Sequence, residues 1–199
     1  MRTLTMRIKA PLMSWGDCEG YQNRTTASHP TKSGIIGMTA AMLGRPRSSD
    51  ISDLAALRYG CQINQPGSQL IDLQTMGIRS DTHDPNPLQD KHYLMDADFT
   101  IGLEAADDNT LLDRLADAVR HPVYAPYLGR RSCPPAGPIE TQILDGTLEE
   151  TLQGDVYVET TTPTSLIRTD HPYGGRRFGI RFEKHLTPTD PYLNLVEQQ

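Results

Sequence analysis

HPTKSGIIGMTAAMLGRPR, residues 29–47, is the stretch from which the rest of the chain is read. Pro30 bars helix before it, and Thr31 or Ser33 can accept hydrogen bonds from the first free backbone N–H groups. Ile35, Ile36, Thr39, Met42 and Leu43 recur on one face at helical spacing, and Gly44 with Pro46 ends the run. The spacing predicts an amphipathic helix with a polar, cationic start. Free N–H groups and the positive end of the helix dipole attract an anion, and Lys32 can add a full charge, so a phosphate is the natural ligand. Most capped amphipathic helices carry no ligand, and the helix alone does not decide the matter. A Walker loop fits poorly, because Thr31 precedes Lys32 and no glycine stands upstream until Gly20.

Upstream, Leu4, Met6, Ile8 and Ala10 alternate with Thr3, Thr5, Arg7 and Lys9, which predicts a half-buried strand with a basic outer face. Residues 11–26 read as a loop holding the only tryptophan, Trp15, more often a core anchor than a stacking platform. Downstream, Ser48-Ser49-Asp50 caps a short helix through Leu57, and Tyr59, Cys61 and Ile63 point inward from a strand. Pro66-Gly67-Ser68 predicts a turn into a second strand, Gln69 to Arg79, and hence a hairpin. SDTHDPNPLQD, residues 80–90, has no apolar periodicity and reads as an excursion from the sheet. Strand character returns at Tyr93 and runs through Phe99, Ile101, Leu103 and Ala105. Asp107-Asp108-Asn109 then caps a helix with Leu111, Leu112, Leu115, Ala118 and Val119 inside.

The order β-α-β-β-α awaits a last strand, the ferredoxin-like split arrangement of an α+β protein, whose sheet RNA-recognition motifs also use. Beyond Val123 periodicity weakens to a Pro- and Gly-rich loop and a strand at 155–160. A final basic strand at 176–182 has Phe178, Ile180 and Phe182 expected inward, Arg177 and Arg181 outward.

At 199 residues the chain suits one domain or a little more. Cys18, Cys61 and Cys133 are odd in number and form no CxxC pair, so neither a disulfide framework nor a zinc site is expected. No apolar run is long enough for a bilayer and no signal-peptide pattern opens the chain, so a cytoplasmic location is expected. The net charge of −6 argues against a generic nucleic-acid binder, but it hides an asymmetry. Residues 1–47 hold seven Lys or Arg against Asp17 and Glu19, a balance of +5, which leaves −11 on the remainder. One part can face phosphates while another faces water or a basic partner.

YAPYLGRRSCPP, residues 124–135, is the second informative stretch. Two arginines after a glycine in a proline-stiffened loop can grip phosphates with a fork of donors; pairing of Arg130 with an acid of this chain is equally compatible.

Together, PLMSWG at 11–16, Arg24, PTKSGIIG at 30–37, YLMDADF at 93–99 and PYLGRRSCP at 126–134 closely resemble the CasD family of Cascade subunits of type I-E CRISPR systems, within the RAMP superfamily. The resemblance spans roughly residues 1–135 and thins beyond Pro138. It implies a ferredoxin-like, non-catalytic subunit of an RNA-guided antiviral surveillance complex that holds the 5′ handle of the CRISPR RNA and caps the backbone filament. The implied partners are the CRISPR RNA, the backbone subunit CasC, the large subunit CasA and, through the complex, target DNA; no membrane, metal or cofactor is implied. The implied layout is an RNA-binding domain at 1–125, with a thumb hairpin at about 79–92, followed by a Gly/Arg loop and a small β-rich extension at 126–199. The residues implied to meet RNA are Arg24, Thr31, Lys32, Ser33 and Gly34, then Arg79 and Lys91, then Tyr127, Gly129, Arg130, Arg131 and Ser132. The competing expectation is a metal-independent endoribonuclease that processes CRISPR precursor RNA, using Lys91, His92, Tyr93 and nearby His83. Strand alternation would set His92 on the face opposite its two neighbours.

Overall fold

The computed structural model describes residues 1–16, 23–75, 88–106, 109–164, 166–172 and 178–187. The alternating pattern at the start of the chain folds as strand β1 (Arg2–Met13), with Leu4, Met6 and Ile8 fully buried. A short β2 (Asn23–Arg24) precedes helix α1 (Lys32–Met42), capped by Thr31, whose side chain accepts from the Gly34 N–H at 3.2 Å. Helix α2 (Ser52–Ala55) follows, then β3 (Arg58–Gln65), β4 (Ser68–Thr75) and the long β5 (Leu88–Ala105). Helix α3 (Asn109–Arg120) buries Leu111, Leu112, Leu115, Ala118 and Val119, as its spacing predicts. The described chain closes with β6 (Glu140–Asp145), α4 (Leu148–Thr151), β7 (Val156–Thr160), β8 (Leu166–Pro172) and β9 (Phe178–Leu186).

The sheet runs β6-β1-β5-β3-β7-β9-β8. Its first four strands have the spatial order of a ferredoxin-like unit, with α1 and α3 supplying the two crossovers. The missing last strand is β6, so this unit reaches residue 145 rather than 125. The region after it is no separate layer: β7 pairs β3, β9 pairs β7 and β8 pairs β9, which lengthens the same sheet. Gly60 and Gly102 make room for α4, since a Cβ on either would approach Leu152 or Leu148 to 2.8 and 2.5 Å.

Two local expectations change. The Pro66-Gly67 turn does not reverse the chain. β3 and β4 both pair antiparallel with β5, in succession along one edge, with Gln65 opposite Asp98 and Ser68 opposite Met95. Gly67 (φ +72°) kinks one path into the next, and Asp96 on β5 takes a matching positive φ of 52°. A Cβ on Gly67 would lie 2.3 Å from the Met95 carbonyl oxygen, so only glycine fits the kink. β4 with the first half of β5 therefore forms a two-stranded arm, which β2 joins in parallel at Asp90 and Lys91. The strands of this arm lead toward residues 76–87, so most of the expected thumb, including Arg79 and His83, lies outside the described residues.

The last hairpin is turned over relative to its sequence reading. Ile180 is 64 % exposed and Arg181 only 4 %. Arg177 lies outside the described residues. Arg181, Glu183 and Asp170 face inward because they have charged partners there, whereas Ile167 and Ile180 face out.

Candidate nucleic-acid interface

Trp15 organises the region where the two motifs meet. Its ring is fully buried, its backbone N–H donates to Thr26 Oγ1 at 2.8 Å, and its carbonyl accepts from Ala27 N–H at 2.7 Å. On one side a Cβ at Gly34 would lie 3.0 Å from the indole, so glycine lets the helix start settle on the ring. On the other, the Ser14 N–H donates to the Leu128 carbonyl at 3.1 Å. A Cβ at Gly129 (φ +82°) would sit 1.6 Å from the Ser14 carbonyl oxygen. Gly34 of the first motif and Gly129 of the second thus both pack closely against one tryptophan loop. The Arg130–Cys133 turn closes with the Leu128 N–H donating to the Cys133 carbonyl at 2.8 Å and the Cys133 N–H to the Arg130 carbonyl at 2.9 Å.

Between the motifs lies a groove of about 450 Å³. Thr31, Ser33 and Gly34 line it from the helix start, Tyr127 and Gly129 from the second loop, with Trp15 between them. Gly37 and Ala41 continue the helix wall, and Arg45 and Arg47 stand beyond it; among the described residues no acid lines the groove. Arg131 and Ser132 are exposed beside it in sequence, and neither Arg131 nor Arg47 makes an ion pair among the described residues. The Arg130 guanidinium stacks 4.7 Å from the centroid of the Tyr93 ring, the geometry of a cation–π contact. Arg45, by contrast, is held by Asp53 at 2.5 Å. Sequence reading passed over Gly16, Gly37 and Arg47 as lining residues. The signal was there for Gly37, an interior helix glycine that packing does not explain.

Lys32 is a correction. Its side chain is 2 % exposed and its ammonium pairs with Glu159 at 2.8 Å. Its backbone N–H, one of the free donors of the helix start, donates to Asp170 Oδ2 at 2.7 Å. The helix start has therefore found its anion inside the protein: a carboxylate from β8 takes the place a phosphate was expected to fill. Burial pushes the Lys32 amine below its ordinary value, and the nearby Glu159 charge opposes that shift. Arg181 holds Asp170 at 2.5 Å and Glu183 at 2.7 Å, and Arg168 adds a second contact to Glu183 at 2.7 Å. Burial alone would raise the Glu183 carboxyl; the His29 hydrogen bond and the Arg181 and Arg168 contacts outweigh it and hold it at about 2.

On the arm, Lys91 Nζ donates to Gln74 Oε1 and shares a face with Tyr93. His92 points to the other face and contacts Gln69 at 3.1 Å. The contiguous Lys-His-Tyr trio is thereby split. Arg24 sits on β2 beside Lys91 in register. Among the described residues no cluster of His, Cys, Asp or Glu is placed to hold a metal ion. Cys61 and Cys133 are buried free thiols, and burial raises both. No helix among the described residues is long and apolar enough to cross a membrane.

A ferredoxin-like sheet lengthened by antiparallel strands, with a glycine-shaped groove beside its first helix, is the build of a RAMP-like protein. Within that class the chain belongs to the CRISPR-associated Cas5 family: the family model described as CRISPR-associated protein (Cas_Cas5) matches residues 3–190. The CRISPR system Cascade subunit CasD of Escherichia coli (strain K12) is 34 % identical over 155 residues, 68 % of each chain. A solved structure described as a crystal structure of a Cas protein matches with a TM-score of 0.73 at 32 % identity, over 95 % of this chain and 99 % of the other. A chain of a CRISPR RNA-guided surveillance complex matches with a TM-score of 0.75 over 96 % of both; at 23 % identity it supports the fold alone.

Proposed function

We propose that this protein is a non-catalytic subunit of a Cascade-type surveillance complex, which holds the 5′ handle of the CRISPR RNA and caps the backbone filament. The observation that carries the reading is the meeting of residues 31–34 and 127–129 on one groove. It is bordered by Arg47, which has no acidic partner among the described residues, with Arg131 close by in sequence. Single-stranded RNA is held through backbone phosphates and stacked, displaced bases, and this groove offers donors for the first and Tyr127 for the second. Thr31, Ser33, Tyr127, Gly129, Arg130, Arg131 and Ser132 form the contact set, with Arg24, Arg79 and Lys91 along the arm toward the backbone subunit CasC. CasA and target DNA are met through the assembled complex. Lys32 serves this surface from within, by fixing the helix start.

The test is a binding titration of the full chain against a short repeat-derived RNA. Arg131→Glu is expected to weaken binding at least about tenfold, since a hydrogen bond to a charged group contributes about 1.5–3 kcal/mol. The slope of log affinity against log salt should fall by about 0.7 for each phosphate of the single strand that the variant no longer neutralises. Affinity unchanged by the reversal defeats the proposal. A shortened RNA product that disappears in His92→Ala would instead favour the nuclease.

A further inference from the structure

Gly37 stands in the interior of α1, where glycine costs about 1 kcal/mol relative to alanine. Gly34, one turn earlier, has a packing reason: the indole of Trp15. Gly37 has none, for a Cβ built there meets no atom within 4 Å. Its exposed surface, with Ala40 and Ala41, lines the same groove as Tyr127. Trp15 lines the same groove, and its buried indole N–H has no acceptor among the described residues. The volume, about 450 Å³, falls within the range of small-molecule sites, roughly 300–1,000 Å³.

Resting on the RNA-holding reading above, we infer that this groove takes one extruded nucleobase of the bound RNA, which lies flat between the low helix wall at Gly37 and the Tyr127 ring while Arg47 meets its phosphate. A flat guest fits, because the helix side of the groove is low at Gly37, Ala40 and Ala41, with Met38 also lining it, and the loop side carries the Tyr127 ring. It must be attached to an anion, because among the described residues the only charged side chains lining the groove are Arg45 and Arg47, and Arg45 is already paired with Asp53. It benefits from acceptor atoms at its edge, which a nucleobase has and an aliphatic side chain of a neighbouring subunit lacks. Gly37 is then a specificity-determining position. The space its missing side chain leaves belongs to the ligand.

The experiment scans the repeat-derived RNA with single abasic substitutions against the full chain, Gly37→Leu and Arg131→Glu. Leucine at 37 projects into open space, so its thermal melt should match or exceed that of the unaltered protein. With the unaltered protein, one abasic position should weaken binding about 5- to 160-fold, the range that one stacked base contributes. Gly37→Leu should bind intact RNA equally weakly, and the abasic RNA no more weakly than that. If Gly37→Leu binds intact RNA as the unaltered protein does, or if its loss multiplies with that of every abasic position, the base pocket is refuted. Should that happen while Arg131→Glu still abolishes binding, RNA holding stands without the pocket. If the unaltered protein binds none of the RNAs, both readings fall.

Discussion

Lys32 shows how a residue of the right type in the right motif can have a different task. Its ammonium lies among Glu159, Asp170 and Arg181 with almost no access to solvent, and the charge is answered there. Replacing it with methionine keeps the stem but leaves Glu159, a residue only 16 % exposed at its side chain, without its cation. Breaking one partner from a buried pair costs about 3–5 kcal/mol, so Lys32→Met should lower the midpoint of a urea unfolding curve severely. Arg131→Glu should leave that curve in place. RNA affinity of Lys32→Met, measured under conditions where it remains folded, should stay within a few-fold of the unaltered chain. An affinity loss as large as that of Arg131→Glu, with stability intact, would return Lys32 to the RNA. Sequence could not separate a lysine that grips RNA from one that fastens a helix, because Glu159 and Asp170 lie 127 and 138 positions away.

Elements with strong period were legible: β1, α1, α3 and the inner half of β5 stand where alternation and helical spacing put them. Those that depend on distant partners were not. Pro66-Gly67 has turn chemistry, and a positive φ at Gly67 serves a reversal and a bulge equally; only β5 alongside, with its own kink at Asp96, decides for the bulge. Gly67→Val tests this. The β-branched side chain would be driven into the Met95 carbonyl, and substitutions incompatible with a positive φ cost more than about 1 kcal/mol. Hydrogen exchange should quicken in β4 and the facing half of β5 and stay slow in β1 and β6; uniform loss of protection would contradict a local kink. In β9, alternation showed which residues share a face, not which face is inside. Hydrophobicity pointed the wrong way, since the interior there is ionic. The groove was half legible: both motifs were read as cationic loops, but their union on Trp15 follows from two close approaches at glycine that no periodicity reveals.

Across the whole molecule, the uneven charge of the chain becomes intelligible. The later acids, Glu149 on α4 and Glu159, Asp170 and Glu183 on the last strands, reach back to Arg58, the Lys32 ammonium and backbone N–H, and His29, so part of the imbalance resolves across the sheet. Glu183 holds its proton far less tightly than an ordinary glutamate, at about 2 against 4.5. A depressed carboxylate lends stability that is complete above its unfolded value and is lost as pH falls toward its folded one. The melting temperature should therefore drop between about pH 4.5 and 2, and Glu183→Gln, already destabilised at neutral pH, should flatten that stretch of the profile. An unaltered slope in the variant would show that other carboxylates set the acid limit.

The cap on α1 also carries a consequence for biosynthesis. A ribosome delivers the first helix long before it delivers the aspartate that closes its end. Until residue 170 has emerged, Thr31 can serve the Gly34 N–H, but the Lys32 N–H can be met only by water, and the lysine ammonium stays exposed. Locking of the fold thus waits for nearly the whole polypeptide, and a nascent chain stalled halfway keeps its first helix unfastened.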